Sequence, residues 1–180
     1  MVDINDVLDF WFKELTPEDW FKKDAALDKK IEERFSNVLQ KIVAGECADW
    51  RTSAQGVLAQ ILVLDQFSRN IFRDSPKAFA QDSLALAIAQ DAVRLGLDKE
   101  FEVQERKFIY MPYMHSESAR VHEDAMVLFS QPGMENNLDF EIRHKVIIDR
   151  FGRYPHRNAV LGRESTPEEI EFLKQPNSSF

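Results

Sequence analysis

Residues 150–169, RFGRYPHRNAVLGRESTPEE, gather Arg150, Arg153, His156, Arg157 and Arg163 around Gly152 and Pro155 in a chain of formal net charge −8. From Arg143 to Arg163 six cations stand against one acid, Asp149, and five of the six are Arg. Guanidinium is planar and presents a fork of donors that matches carboxylate or phosphate, so this density points to an anionic group. Gly152 reads as the end of one helix and Pro155 as the first residue of the next. That arrangement is expected to turn the free backbone N–H groups of His156 and Arg157 toward an anion. His156 adds an imidazole suited to proton transfer near neutral pH. The plainer reading, of equal weight, is that these arginines pair with Asp65, Glu117 and other acids to fix a helix corner.

Two further stretches break the amphipathic pattern. In LDQFSRNIFR, residues 64–73, Asp65, Arg69 and Arg73 are spaced i, i+4, i+8, and Asp65 shares a face with Leu58 and Ile61. An acid on an inward face needs a partner, because an unpaired buried charge is costly. The spacing favours a local Asp65–Arg69 pair over an Arg aimed into a cavity. In YMPYMHSE, residues 110–117, Pro112 is expected to end a helix, leaving His115, Ser116 and Glu117 at a bend. His122 shares a face with Ala125, Met126 and Phe129 and reads as a hydrogen-bonded core histidine. Glu141 and His144 form a lone Glu-x-x-His, whereas helical di-iron sites need two such motifs, so no metal or other cofactor is expected. No Walker loop, Gly-x-Ser-x-Gly elbow or His-Glu-x-x-His occurs.

The elements that must position these residues read as helices almost throughout. Apolar residues recur at helical spacing in Ile4–Val7–Leu8–Trp11 behind an Asp3 cap, and in Leu27–Ile31–Phe35–Val38–Ile42 before Gly45. Thr52 or Ser53 caps a helix with Val57, Leu58, Ile61 and Leu62, and Ser75-Pro76 opens an Ala-rich one closed by Gly96. Thr16-Pro17 is expected to begin a short helix, Ser116 or Ser118 to cap the helix after Pro112, and Asn136 or Asn137 to cap the one after that. Thr166-Pro-Glu-Glu169 is a capping box. About eight helices and no sheet result. They form one domain over 1–176, with residues 177–180 expected to fray.

Composition narrows the function classes. A sequence pI near 5.1 argues against nucleic-acid binding. The longest apolar stretch, Gly56–Leu64, is too short for a bilayer span, and the acidic N-terminus is unlike a secretion signal. Cys47 is the one cysteine, so no internal disulfide forms, which fits a reducing, cytoplasmic setting.

VLDFWF near the start, LDQFSRN at 64–70, YMPYMHSE at 110–117 and RFGRYPHRNAVLGRESTPEE at 150–169 together resemble a bacterial family known as domain of unknown function 924. The resemblance implies an all-α, tetratricopeptide-like stack of antiparallel helix hairpins and no established activity. Its signature matches Asp65, Gln66, Arg69, Asn70, His115, Ser116, Glu117, Arg150, Arg153, Pro155, His156, Arg157 and Asn158. Polar residues from three separate stretches suggest one convergent site. Arg69, Asn70, Arg150, Arg153, Arg157 and Asn158 are then candidate ligand contacts, Asp65, Gln66 and Glu117 orient them, and His115 or His156 is the proton-transfer group. Two functions compete. One is a pocket for a phosphate- or carboxylate-bearing small molecule, with catalysis open. The other is an interaction module that clamps an acidic or C-terminal peptide.

Overall fold

In a computed structural model, which describes residues 2–180, the chain is all-α, with no strand among the described residues. Helix α1 spans Ile4–Asp9 and runs on as a π-helical turn, Phe10–Glu14. Asp3 caps it in a reciprocal capping box with Asp6. Helix α2 is Ala25–Val43. Helix α3 starts at Ala54 behind the Ser53 cap, runs to Ile61, widens into a π-helical turn over Leu62–Phe67 and closes with Ser68–Ile71. Then come α4 (Asp82–Leu95), α5 (Val103–Met114), α6 (Ala119–Phe129), α7 (Glu135–Phe151) and α8 (Pro167–Leu173).

The core explains the aromatic-rich composition. Phe10, Trp11, Phe35, Phe67 and Phe108 are sealed from solvent and meet at tilted or edge-on angles, with ring centroids 4.7–5.9 Å apart. Helix α3 is the hub of this packing and touches α1, α2, α4 and α5. The buried face of α4 is Ala85, Ile88, Ala89 and Ala92, and its three alanines admit close neighbours. A second, smaller cluster of Ile147, Ile148 and Tyr154, flanked by Phe151 and Phe172, anchors the segment after α7. Cys47 is buried, and desolvation raises its thiol pKa.

Among the glycines, Gly56 has the least room for a side chain. A Cβ there would lie 1.9 Å from the Trp50 carbonyl oxygen and 2.7 Å from its carbon, both backbone atoms that cannot swing aside. Gly56→Ala is therefore expected to cost about 3 kcal/mol of stability in urea unfolding, whereas an unchanged midpoint would show that this corner gives way freely.

Several local expectations change. Pro112 does not end a helix: α5 continues through it to Met114. Proline leaves the Phe108 carbonyl without its helical donor, yet Tyr110, Met111, Tyr113 and Met114 are all buried, and their packing holds the turn together. Residues 17–21 form turns rather than a helix, although the Asp19 carboxylate accepts from both the amide and the hydroxyl of Thr16. Ser75-Pro76 opens a 3₁₀ turn, Pro76–Phe79, and α4 follows only at Asp82. Helix α7 begins before Asn136, behind Met134, where the Glu135 carboxylate accepts from the Gly133 amide. At the chain end, Ser178 Oγ donates to the Leu173 carbonyl and Phe180 stacks on His144 at 3.7 Å, where loose residues were expected.

Candidate functional site

Asp65 lies in the π-helical turn of α3, a widened turn that sequence periodicity does not reveal. It is fully buried. Its Oδ1 receives Nδ1–H of His115 at 2.7 Å and Nη1 of Arg69 at 3.2 Å, and its Oδ2 receives Nε2 of Gln66 at 2.6 Å. Burial alone would push this carboxyl up, but His115, Arg69 and Gln66 hold it below the ordinary carboxylate range. His115 is pushed down, by burial first and then by the Arg69 charge, so the imidazole is neutral at neutral pH. Asp65 is an acceptor only, which places the one imidazole proton on Nδ1. Nε2 is left as a bare lone pair, with no protein partner among the described residues and not sealed from solvent.

His115 sits on the wall of a cleft of about 300 Å³. Four segments make that cleft: the Pro76–Phe79 turn, the first turns of α4 at Asp82, Ser83 and Leu86, the α5–α6 junction from Pro112 to Glu117, and Arg157 with Leu161 after α7. Arg157 is buried, with its guanidinium between the rings of Phe79 (4.5 Å) and Tyr154 (4.6 Å). It donates to the His115 carbonyl at 3.1 Å and, more weakly, to Asp82 at 3.4 Å, and its Nε has no partner among the described residues. Burial and the neighbouring Arg69 both pull its pKa down. Asp82 is firmly held by Arg69, through two bonds of 2.9 Å. The result is an alternating chain of charges, Asp65–Arg69–Asp82–Arg157, that runs from the core to the cleft.

Six of the candidate residues thus converge: Asp65, Gln66, Arg69, His115, Glu117 and Arg157. The others lie elsewhere. Asn70 joins Arg73 in binding the Asp28 carboxylate, tying α3 to α2. Arg150 pairs with Glu168 at 2.8 Å, and Arg153 forms a two-pronged bond with Glu169 at 2.7 and 2.8 Å. Asn158 is buried between Ser165, Glu169 and Arg163. Arg163 grips Glu117 at 2.7 and 2.9 Å, and Glu117 also accepts the Tyr154 amide at 2.7 Å. This second network is the helix corner of the plainer reading. The expected amide nest is absent: Pro155–Arg157 is a single 3₁₀ turn, and the Arg157 amide is spent on the Tyr154 carbonyl at 3.0 Å. His156 faces Tyr154 and Phe180 rather than the cleft, with Nδ1 sealed and without a partner among the described residues. Burial and Arg157 push it down to about 4.

Sequence reasoning missed Asp82 and Phe79. Asp82 reads as a helix-favouring acid in a first turn, and only the fold brings it to Arg69. Nor does the Glu141-x-x-His144 pair meet: Glu141 binds His122 at 2.6 Å, and His144 donates to the Phe140 carbonyl at 2.7 Å.

The four sequence stretches, now joined in one fold, agree with a family model described as a bacterial protein of unknown function (DUF924), which matches residues 7–177. The chain belongs to this family. Among solved structures, the chain is similar to a protein of unknown function from Agrobacterium tumefaciens, 38% identical over 95% of this chain and 96% of that one, with a TM-score of 0.91. No curated protein matches the chain. For this DUF924 protein, then, similarity supports the family and the fold. No helix among the described residues is long and apolar enough to cross a membrane.

Proposed function

We propose that the chain binds a small molecule bearing a carboxylate or phosphate in the His115 cleft, and that His115 Nε2 accepts a proton there. The observation that carries this reading is the Asp65–His115 pair: a fully buried carboxylate 2.7 Å from Nδ1, in a residue that lines the cleft and whose opposite nitrogen is not sealed. A carboxylate in that position fixes the tautomer and the ring orientation, and stabilises the imidazolium that forms when Nε2 takes a proton. Arg157 supplies the anion contact. Its 3.4 Å bond to Asp82 is long, and Asp82 keeps both Arg69 bonds when a ligand oxygen replaces it. Phe79 and Tyr154 hold the guanidinium plane in place meanwhile. The volume suits a small ligand with an apolar portion against Phe79, Leu86 and Leu161.

The competing module, an acidic peptide clamped by Arg150, Arg153 and Arg163, has less support. Glu168, Glu169 and Glu117 already occupy those three guanidiniums.

Thermal unfolding with a panel of phosphates, nucleotides and carboxylates tests the reading. A ligand at about 100 times its Kd adds about 2.7 kcal/mol, or roughly 5–10 °C. Ala80→Trp fills the cleft from an exposed position without touching the polar network, and is expected to abolish that shift. Arg153→Gln, on the separate corner, is expected to keep it. A shift that survives Ala80→Trp, or no shift from any of these compounds, would sink the proposal.

A further inference from the structure

Behind the cleft lies a second acid–imidazole pair, one that the proton transfer above does not use. His122 and Glu141 are both fully buried, with Nδ1 and Oε1 2.6 Å apart. Donor counting fixes most of their protons. The Tyr154 hydroxyl gives its proton to the Met114 carbonyl at 2.6 Å, so it can only accept from His122 Nε2, 3.2 Å away. Nε2 also faces the Ser116 carbonyl at 2.8 Å, another acceptor. Nε2 therefore carries hydrogen. What is left undecided is one proton between Nδ1 and Oε1: either imidazolium faces carboxylate, or neutral imidazole faces carboxylic acid.

The other oxygen decides. Glu141 Oε2 is sealed and has no hydrogen-bond partner among the described residues. A carboxylate would leave half its charge there with no donor, and the ion pair with the imidazolium opposite would have to offset the desolvation of both charges through a single bond. As a carboxylic acid, Glu141 needs only the bond it has and leaves a neutral carbonyl oxygen unpaired. The charged and titratable groups around the pair do not reverse this. Lys145 is committed to Asp149 at 2.7 Å, His144 lies neutral on the same helix, and Glu117 and Arg157 lie beyond Tyr154. Burial likewise raises the Glu141 pKa.

We infer that Glu141 is a neutral carboxylic acid in the folded protein and donates its proton to His122 Nδ1. His122 in turn donates to Ser116 and Tyr154, and so positions the back wall of the cleft. Ser116 lines that cleft, and the Tyr154 ring lies under Arg157. Glu141 and His122 are thus positioning residues that act through Ser116, Tyr154 and Arg157, and this last clause alone rests on the cleft being a binding site.

The test uses the full chain with nitrogen-labelled histidine at pH 7. His122 Nδ1 is expected to show the shift of an unprotonated, pyridine-type nitrogen, and Nε2 that of a protonated one. Glu141→Gln, whose amide donates as the acid does, is expected to unfold within about 3 °C of the wild type and to keep the Nδ1 signature. Glu141→Leu removes the donor and is expected to unfold well below both. Two protonated nitrogens on His122, or a Gln variant as damaged as the Leu variant, would overturn the inference. Inorganic phosphate added to the three proteins reads the positioning role: its stabilisation persists in Glu141→Gln and falls at least threefold in Glu141→Leu. If phosphate stabilised the wild type yet Glu141→Leu responded as fully, the positioning role would be wrong. If none of the three responded, the phosphate reading of the cleft would fail, while the nitrogen shifts would still locate the proton.

Discussion

Asp65→Ala is expected to lower stability by about 3–5 kcal/mol, a fall of roughly 10 °C or more in the unfolding midpoint. Asp65 is the common acceptor for His115, Arg69 and Gln66, and it is fully buried. Removal strands the Gln66 amide and leaves the Nδ1–H of His115 without an acceptor, each in a dry site. Arg69 keeps Asp82, so the loss falls short of an isolated buried cation. Arg153→Gln provides the comparison. It also breaks a two-pronged ion pair, but Arg153 is nearly one-third exposed, and Glu169 retains the Thr166 amide and Asn158. Its cost is expected to be well below that of Asp65→Ala. Equal losses in the two variants, measured by urea unfolding, would mean that the helix corner anchors this half of the fold as firmly as the Asp65 centre does.

Acid should be the second large effect. Burial holds His144 down to about 3 and His156 down to about 4, and His115 is lowered as well. In the unfolded chain these imidazoles take up protons below about pH 6.5, while in the fold they stay neutral to lower pH, His144 and His156 furthest. The unfolded state therefore binds more protons, and stability is lost as pH falls from about 6.5 toward 4. Glu141 opposes this, since its raised pKa adds stability at low pH that is lost as pH rises through it, but it is one group against three. Below about pH 4, Glu169 joins the loss, because the two-pronged bond from Arg153 holds it down to about 2. The unfolding midpoint is expected to drop by roughly 10 °C between pH 7 and pH 4, and a flat profile over that range would contradict the burial of these imidazoles.

The extent to which sequence foretold this molecule follows from the range of the interactions involved. Asp3, Ser53 and the Thr166–Glu169 box act within four residues, and all three cap helices as their side-chain chemistry dictates. His122 was legible as a core histidine because its helical face is apolar. Pro112 misled because its local preference was outweighed by buried neighbours on both sides. The site was half legible. Asp65, Arg69 and His115 stand out as polar residues on apolar faces, yet Asp82 is joined to Arg69 only by packing across 13 positions, and the π-helical turn that turns Asp65 toward His115 leaves no periodic trace. The dense arginines of 150–163 were the loudest signal, and most of them serve the corner. Charge density shows that acids must be near, but the fold alone decides whether they come from the chain or from a ligand.

The most direct test of the cleft follows the His115 ring resonances in the full-length protein while acetate, and separately inorganic phosphate, is added at constant ionic strength and pH 7.5. The expected result is a saturable shift at His115 Nε2 with either anion, with Nδ1 still protonated against Asp65 and His144 unmoved. A His115 ring that does not respond to either anion, or that already carries two protons at that pH, would contradict a neutral base beside an anion site.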